Sequence, residues 1–105
     1  MYVTVYITTP DKEEAEKIGE TIVGERLAAC ANIIPNMSSI YWWKDEMEKS
    51  DETVLLLKTK EENTEAIVRR VKELHSYENP CIVALPILKG SREYLEWIKE
   101  ETKKG

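Results

Sequence analysis

Glutamine is absent from the sequence, and only two cysteines and one histidine occur among its 105 residues. Two cysteines without a close pairing motif do not make a disulfide framework. The absence of a Cys-x-x-Cys motif and of paired histidines argues against a preformed zinc site. A lone histidine without a recognisable nucleophile partner forms no catalytic triad, and four glycines leave no Gly-rich phosphate-binding loop. We therefore expect a protein that is not an enzyme and needs no obligatory cofactor.

Long apolar runs and basic stretches are missing as well. No apolar run reaches the ~18 residues of a membrane span, and the first residues lack the basic region of a signal peptide. These features and the unpaired cysteines predict a cytoplasmic protein with a single domain over residues 1–105 and no membrane partner. The net charge of −5 argues against a nucleic-acid partner and is compatible with attraction of cations.

The most informative stretch of the sequence, residues 26–44, carries almost no charge between its ends, although 33% of the chain is charged. Its second half is rich in isoleucine, tyrosine and tryptophan, residue types that favour strands. Pro35 and Asn36 interrupt the middle, and a proline inside a strand indicates a bulge or a sheet edge. The stretch is therefore predicted to form one long, kinked strand.

This predicted strand is longer than the domain that contains it. Residues 29–44 span ~50 Å when fully extended, whereas a domain of this size has a diameter of ~35 Å. The overhang carries Tyr41, Trp42 and Trp43. We expect them in a subunit interface, because apolar strand edges pair with other chains and aromatic residues dominate interface cores. The alternative is that Pro35 divides the stretch into two ordinary strands folded back on one core.

Hydrophobic periodicity predicts the remaining elements. They are, in chain order, a strand at 2–8, a helix from Pro10 to about Glu25, a hairpin tip at 45–51, a central strand at 53–58, a helix capped by a box at 59–62 or by Asn63 or Thr64, a strand at 81–85 closed by Pro86, a helix after Gly90 and Ser91, and a frayed end at 103–105. The order β-α-β-β-α-β predicts an α+β, ferredoxin-like antiparallel sheet with an extra C-terminal helix. Right-handed crossovers would place its first and third strands side by side at the centre.

Five short motifs resemble the CutA divalent-cation-tolerance family, in the family's order and from one end of the chain to the other. They are ERLAACAN (25–32), SIYWW (39–43), LKT (57–59), ELHSYENP (73–80) and EYLEW (93–97). The resemblance implies a ferredoxin-like fold, a tight homotrimer and a role linked to copper and other divalent metals. Two departures stand out. Ser76 replaces a usual proline, which should loosen the turn, and Ile7 and Leu74 occupy places where some members carry Cys and His.

His75 is the first candidate metal ligand. It follows Val71 by four residues and so ends the apolar face of the second predicted helix. A neutral imidazole there can coordinate a metal, or it can be a half-buried histidine satisfied by a backbone carbonyl at the helix C-terminus. The resemblance favours coordination, because the copper ligands proposed for the family include the histidine at this position.

Cys30 and Glu78 are the other candidate ligands. Cys30 and Cys81 both fall in predicted strands, where a cysteine is more often a small buried hydrophobe than a ligand. Thiolate with imidazole would suit copper if Cys30 and His75 converge, within the chain or across subunits. Glu78 could add a carboxylate or be an ordinary exposed acid in a loop.

The sequence thus favours a homotrimer that binds divalent metal, copper foremost, and contributes to metal tolerance. An alternative is a sensor or signalling module, similar in architecture to the nitrogen-regulatory PII-type trimers, with a small ligand bound between subunits. A third possibility is a rigid scaffold with incidental metal affinity.

Overall fold

The computed structural model describes residues 1–103 of the chain. Its elements are β1 (Tyr2–Thr9), α1 (Lys12–Gly24), β2 (Cys30–Trp43), β3 (Glu46–Lys60), a 3-10 turn (Glu61–Asn63), α2 (Thr64–Leu74), β4 (Ile82–Ile87) and α3 (Arg92–Glu101). The strands form one antiparallel sheet in the order β2-β3-β1-β4. The α+β class, the element order and the central pair of first and third strands are therefore as predicted. Among the described residues, no helix is both long and apolar enough to cross a membrane.

The core lies between the sheet and the helices α1 and α2. Alternate residues of β1 are fully or nearly fully buried, with Val5 and Ile7 opposite Leu57 and Leu55 of β3. The apolar stripes of the two helices cover this layer with isoleucine and valine side chains, chiefly Ile18, Ile22, Ile67 and Val71. We call the other side of the sheet the open face. It is covered only in part, where α3 brings the Tyr94 hydroxyl to 3.5 Å from the Cys30 thiol.

The second and third strands form a hairpin with a two-residue turn. Lys44 and Asp45 have φ angles of 50° and 65°, the left-handed pair of a type I′ turn, and Trp43 pairs directly with Glu46. The prediction of a hairpin tip at 45–51 is wrong, because this tight turn lets residues 46–51 continue β3. We call the distal part of the hairpin, residues 37–43 paired with 46–52, the hairpin arm.

The predicted kink in the second strand is confirmed. The pairing register shifts between Ile34 and Met37, and Asn36 has a φ angle of 68°. This β-bulge takes up Pro35 without ending the strand, so β2 runs for 14 residues and the alternative of two strands folded back does not occur. The molecule is correspondingly elongated, with extents of 44 × 26 × 21 Å.

Several predicted element ends move by a few residues. Asp11 caps α1 by accepting the Glu14 N–H at 2.8 Å, so Pro10 precedes the helix instead of opening it. The predicted capping box at 59–62 is wrong because Thr59 stays on β3 and donates its hydroxyl to the Leu27 carbonyl at 2.6 Å. Asn63 does occupy the cap position of α2, but without a capping hydrogen bond from its side chain.

The ends of the last strand and of the chain also differ from the prediction. Cys81 lies just before β4, and Pro86 lies inside it, which an edge strand tolerates because its outer side needs no ladder bonds. The predicted frayed end begins at Lys103, whose N–H instead donates to the Arg26 carbonyl at 2.8 Å. The rest of that prediction, at 104–105, lies outside the described residues.

Candidate functional site

His75 lies at the C-terminal end of α2 with its side chain fully buried. Its Nδ1 accepts the Tyr77 N–H at 3.1 Å, so the neutral ring carries its proton on Nε2, which donates to the Thr8 carbonyl at 2.7 Å. Glu14 Oε2 lies 3.3 Å from Nδ1. The ring is therefore satisfied by a backbone carbonyl, as the structural alternative proposed, but the carbonyl belongs to β1 and not to the helix.

Ser76, which was expected to loosen the turn, connects it to α1 by two hydrogen bonds. Its N–H and its hydroxyl both donate to Glu14 Oε2, at 2.9 and 3.0 Å. A proline at this position has no N–H and could not make the first of these bonds. Ser76 thus provides two hydrogen bonds to α1 in place of the rigid pyrrolidine ring of a proline.

Cys30 does not meet His75 within the chain. It starts β2 opposite Lys58 of β3, whereas Thr8, which holds the His75 ring, lies opposite Val54. Four residues along a strand correspond to ~13 Å, and two strand spacings add to this separation. Cys30 is half-buried beside Tyr94, and its hydrogen bond with that phenol, together with burial, raises the pKa of Tyr94 to about 12.

Glu78 is an exposed acid of the loop between α2 and β4. Its carboxylate lies 4.0 Å from the ammonium of Lys44 at the end of the hairpin arm. Within residues 1–103, no group of three His, Cys, Asp or Glu side chains is placed to hold a metal ion. The three predicted ligands are therefore in three different surroundings.

A groove runs along the open face between the hairpin arm and the loop after α2. Its volume is about 740 Å³, within the range of small-molecule sites. Aromatic, acidic and sulfur-containing side chains line it, including Tyr6, Met37, Tyr41, Trp42, Trp43, Glu52, Tyr77, Glu78 and Cys81. The β-bulge and the tight turn create the groove, because they extend the hairpin arm beyond the end of β1. The arm therefore forms one wall of the groove without a strand beside it.

Glu52 lies at the base of this groove and is only 7% exposed. Its Oε2 accepts the Tyr77 hydroxyl at 2.7 Å. Among the described residues, no Lys, Arg or His nitrogen makes an ion pair with it. Burial of the phenol, and then its hydrogen bond to Glu52, raise the pKa of Tyr77 well above its ordinary value, so this phenol remains a donor.

The aromatic side chains of the arm form the outer part of the groove. Trp42 is 73% exposed, whereas Trp43 and Tyr41 are partly covered. The Lys44 ammonium lies 5.5 Å from the centre of the Trp43 ring, in cation–π contact. The three residues predicted for a subunit interface are thus exposed in the single chain, and Trp43 already contacts a cation.

Sequence reasoning missed Glu52 and Tyr77. A hairpin tip at 45–51 left no strand before residue 53, so no face could be assigned to Glu52. The available signal was period-2 alternation, which places Glu52 on the same face as Val54 and Leu56 once β3 is extended. Cys81, for which a small buried hydrophobe was the favoured interpretation over a ligand, instead lies at the surface of the groove. Partial burial of its thiol, followed by the charge of Glu52, raises its pKa.

Comparisons with known proteins give a consistent result. The family model described as CutA1 divalent ion tolerance protein matches residues 3–101. The chain is 49% identical to the divalent-cation tolerance protein CutA of Thermus thermophilus, over 93% of this chain and 95% of the relative. It is 40% identical to the chloroplastic protein CutA 1 of Oryza sativa, over 98% of this chain but only 58% of the rice protein.

Solved structures of similar proteins share this fold. The Thermus thermophilus divalent cation tolerance protein superimposes with a TM-score of 0.95 at 48% identity, covering 98% of this chain and all of that one. A CutA protein of Archaeoglobus fulgidus, described as a periplasmic divalent cation tolerance protein, gives the same TM-score at 41% identity, covering 98% of this chain and 100% of its own.

Proposed function

The chain belongs to the CutA1 divalent ion tolerance family, and from that premise we propose that it is a homotrimeric protein that binds divalent cations and contributes to metal tolerance. The observation that carries this proposal is the family match, which extends over residues 3–101. The net charge of −5 is consistent with attraction of cations. We further propose that the protein has no catalytic activity and needs no obligatory cofactor.

Copper is the proposed metal, with His75 as its dominant ligand and with Cys30 and Glu78 as further candidates. Imidazole and thiolate suit copper better than carboxylates alone, which would bind it with little selectivity over zinc. The single chain fits a metal poorly, because both His75 nitrogens are engaged and the three candidates do not converge. The proposed site therefore needs a rearranged His75 ring and donors from neighbouring subunits.

Calorimetric titration of Cu²⁺ into the wild type, His75→Ala and Cys30→Ser tests this site. We expect His75→Ala to weaken binding, and wild-type binding to be weaker at the more acidic of two pH values, because only neutral imidazole coordinates. Cys30→Ser has an effect only if that thiol reaches the site in the trimer.

His75→Gln is the control for folding, since it keeps an N–H donor for the Thr8 carbonyl but cannot replace imidazole as a ligand. A folded His75→Gln protein with weakened copper binding supports coordination by His75. Unchanged copper affinity in both His75 variants at both pH values would mean that copper binds elsewhere, at acidic clusters on the surface. The tolerance function would then rest on family membership alone.

Exposed apolar surface supports the proposed homotrimer. The hairpin arm exposes Ile40, Trp42 and Met47, and the edge strand β4 exposes Val83 and Leu85. These side chains lie at the two opposite edges of the sheet, and exposed apolar side chains on sheet edges are typical of protein interfaces. We place Tyr41, Trp42 and Trp43 in the interface between subunits.

A cytoplasmic location is also proposed. Cys30 and Cys81 are both free thiols, as is usual in a reducing compartment. The Archaeoglobus fulgidus relative is described as periplasmic and the rice relative as chloroplastic. Because relatives differ in compartment, fractionation of the native host is the measurement that tests the proposed location.

The groove favours a second candidate function, a sensor or signalling module that binds a small ligand. Its size and its mixture of aromatic rings with a few polar groups are typical of ligand sites. The third candidate, a scaffold with incidental metal affinity, does not account for Glu52, a buried carboxylate without a paired cation among the described residues. Parallel titrations with metals and with small organic compounds separate the candidates.

A further inference from the structure

We infer that His75, Tyr77 and Glu52 act together as a brace, which holds the hairpin arm at a fixed angle to the sheet and so prepares it for contact with a second copy of this chain. This goes beyond metal binding and rests on the proposed homotrimer. The juxtaposition that carries it is a buried histidine, a tyrosine and a buried carboxylate, hydrogen-bonded in series from the end of β1 to the base of the arm.

The base of the arm is a point where the sheet can bend. Pairing between β1 and β3 ends at Thr9 and Thr53, so the arm beyond this pair is a ribbon of two strands. The β-bulge lies at the same place, because the register shift between Ile34 and Met37 is opposite Thr53. A two-stranded ribbon is marginally stable and strongly twisted, and a bulge adds a bend. The strand ladder alone therefore does not fix the angle of the arm.

Glu52 is the first residue of β3 beyond the last pair with β1. Its side chain is buried, and its Oε2 accepts the Tyr77 hydroxyl at 2.7 Å. Hydrogen bonds to a carboxylate are stronger than those between neutral groups, and burial strengthens them further. On the paired strand, Met37 Sδ accepts only a weak bond from the Tyr6 hydroxyl, at 3.5 Å. The Tyr77 hydroxyl therefore attaches the base of the arm to the loop after α2.

His75 fixes Tyr77 in turn. The Tyr77 N–H donates to His75 Nδ1 at 3.1 Å, and the two rings pack with their centres 4.7 Å apart. His75 Nε2 donates to the Thr8 carbonyl at 2.7 Å. Thr8 lies opposite Val54, which is two residues from Glu52 on β3. The series of bonds thus starts and ends on neighbouring parts of the sheet, so it forms a closed ring across the bend.

The residues on either side of Tyr77 have unequal shares in this attachment. Ser76 donates its N–H and its hydroxyl to Glu14 of α1, at 2.9 and 3.0 Å, and so anchors the loop on the helix side. Glu78 lies 4.0 Å from Lys44 at the far end of the arm, but these side chains are 74% and 72% exposed. An exposed ion pair of this length contributes little. Tyr77 is therefore the effective link between the loop and the arm.

A fixed arm has two consequences for assembly. An arm that already has its bound orientation loses less conformational freedom when it meets a second copy. A closed ring of three copies also requires the same rotation at every interface, whereas a variable angle permits open assemblies. Because the arm carries the three aromatic residues that we place in the interface, the brace favours the closed trimer.

The test uses the full chain freed of metal with EDTA, so that copper affinity does not enter the result. Tyr77→Phe keeps the ring and the backbone N–H but removes the bond to Glu52. In a dilution series at a fixed, sub-denaturing urea concentration, it should raise the concentration at which the trimer dissociates by on the order of tenfold or more. Hydrogen exchange should become faster for the amides of the arm and stay unchanged for those of β1.

Thr59→Val is the matched control for a lost hydroxyl. Thr59 is buried at the opposite end of β3 and donates to the Leu27 carbonyl at 2.6 Å. This variant should leave hydrogen exchange in the arm as it is in the wild type.

A double-mutant cycle of His75→Gln and Glu52→Gln tests the series itself. No hydrogen bond joins these two residues directly within residues 1–103, so independent contributions to assembly would add. The brace predicts instead that the double variant dissociates no more readily than the weaker of the two single variants, because either change opens the same series of bonds.

The outcomes separate the brace from the functions proposed above. Wild-type exchange and dissociation in Tyr77→Phe, or additive effects in the cycle, would overturn the inference. Weakened copper binding by His75→Gln with unchanged assembly supports the metal site and contradicts the brace, and the reverse result supports the brace alone. A monomeric wild type removes the homotrimer, and exchange in the arm then tests the brace in the monomer. If His75→Gln does not fold, Tyr77→Phe and Glu52→Gln provide the comparison.

Discussion

Tyr94 illustrates how a single hydrogen bond changes the chemistry of a side chain on the open face. Its bond with Cys30, together with burial, raises its pKa to about 12 from an ordinary 10.0. Because the pKa is raised in the folded state, the neutral phenol contributes stability that is complete below pH 10.0 and is lost as the pH rises toward about 12.

We predict that phenolate absorbance of the wild type contains a late component near pH 12 that Tyr94→Phe removes. Cys30→Ala should move this component toward the ordinary tyrosine value, because it deletes the largest cause of the shift. Cys81→Ala is the control, since that thiol makes no hydrogen bond with Tyr94. A Cys30→Ala titration identical to the wild type would mean that burial alone sets the pKa.

Single residues show the limit of what the sequence predicts at this scale. The apolar spacing that ends at His75 correctly places this residue on the apolar side of the second helix. Its partners do not follow from that spacing, because Thr8 lies 67 residues away and Glu14 comes from α1. The hydrogen-bond partner of Glu52 is equally remote in sequence, because Tyr77 lies 25 residues away.

Among the elements, α1 packs most closely on the sheet at Gly19. A Cβ at this residue would lie 3.1 Å from the Ala31 Cβ and 3.3 Å from Leu55 Cδ1. We predict that Gly19→Ala destabilises the protein by ~1 kcal/mol, because overpacking of ~1–3 kcal/mol exceeds the ~1 kcal/mol that alanine gains in a helix. Denaturant unfolding of the purified variant measures this change in the free energy of unfolding.

Gly24 provides the matched comparison for this experiment. It ends the same helix, and a Cβ there would meet no atom within 4 Å. Gly24→Ala should therefore be neutral or stabilising by up to ~1 kcal/mol. If the two variants unfold at the same denaturant concentration, α1 can move away from the sheet and the close approach is not a constraint.

Element types were more predictable than element ends. Alternation in β1 and the apolar stripes of α1 and α2 are strong periodic signals, and each places the right face on the core. The hairpin was predicted, but its turn was given the wrong bounds because Lys44 and Asp45 lack the Asn-Gly signature of a type I′ turn and the charged residues 46–51 resemble a loop. Their strand conformation depends on pairing with β2, which is a tertiary effect.

For the whole molecule, we predict an obligate trimer held in part by the hairpin arm. Sedimentation at micromolar concentration should show a single trimeric species. Replacement of Trp42 and Trp43 together by alanine should cost several kcal/mol of assembly stability, since truncation of an aromatic core residue costs ~3–5 kcal/mol. The melting temperature and the sedimentation coefficient should both fall.

Trp97→Ala is the control for this double variant. Trp97 is a partly exposed tryptophan of α3 that packs against Tyr94, with ring centres 5.5 Å apart. We expect it to cost local stability and to leave the assembly trimeric. A folded wild-type monomer or dimer at the same concentration would contradict the interface assigned to the arm.

At the scale of the whole molecule, the fold was predictable and the groove was not. Six core elements in a β-α-β-β-α-β order restrict the topology to a few arrangements, and right-handed crossovers select this one. The groove combines β1, the arm and the loop after α2, so it exists only once these segments have been placed together.

The central position of β1 also affects the order of events during synthesis. β1 (Tyr2–Thr9) leaves the ribosome before the other strands of the sheet, yet its neighbours are β3 (Glu46–Lys60) and β4 (Ile82–Ile87). At ~5–20 residues per second, the nascent strand waits ~3–10 s for its first partner. Its edges stay unpaired meanwhile, and the second partner arrives only after α2 and the loop that follows it have emerged. The sheet of this protein is therefore completed only once β4 has been synthesised, with the central strand waiting longest.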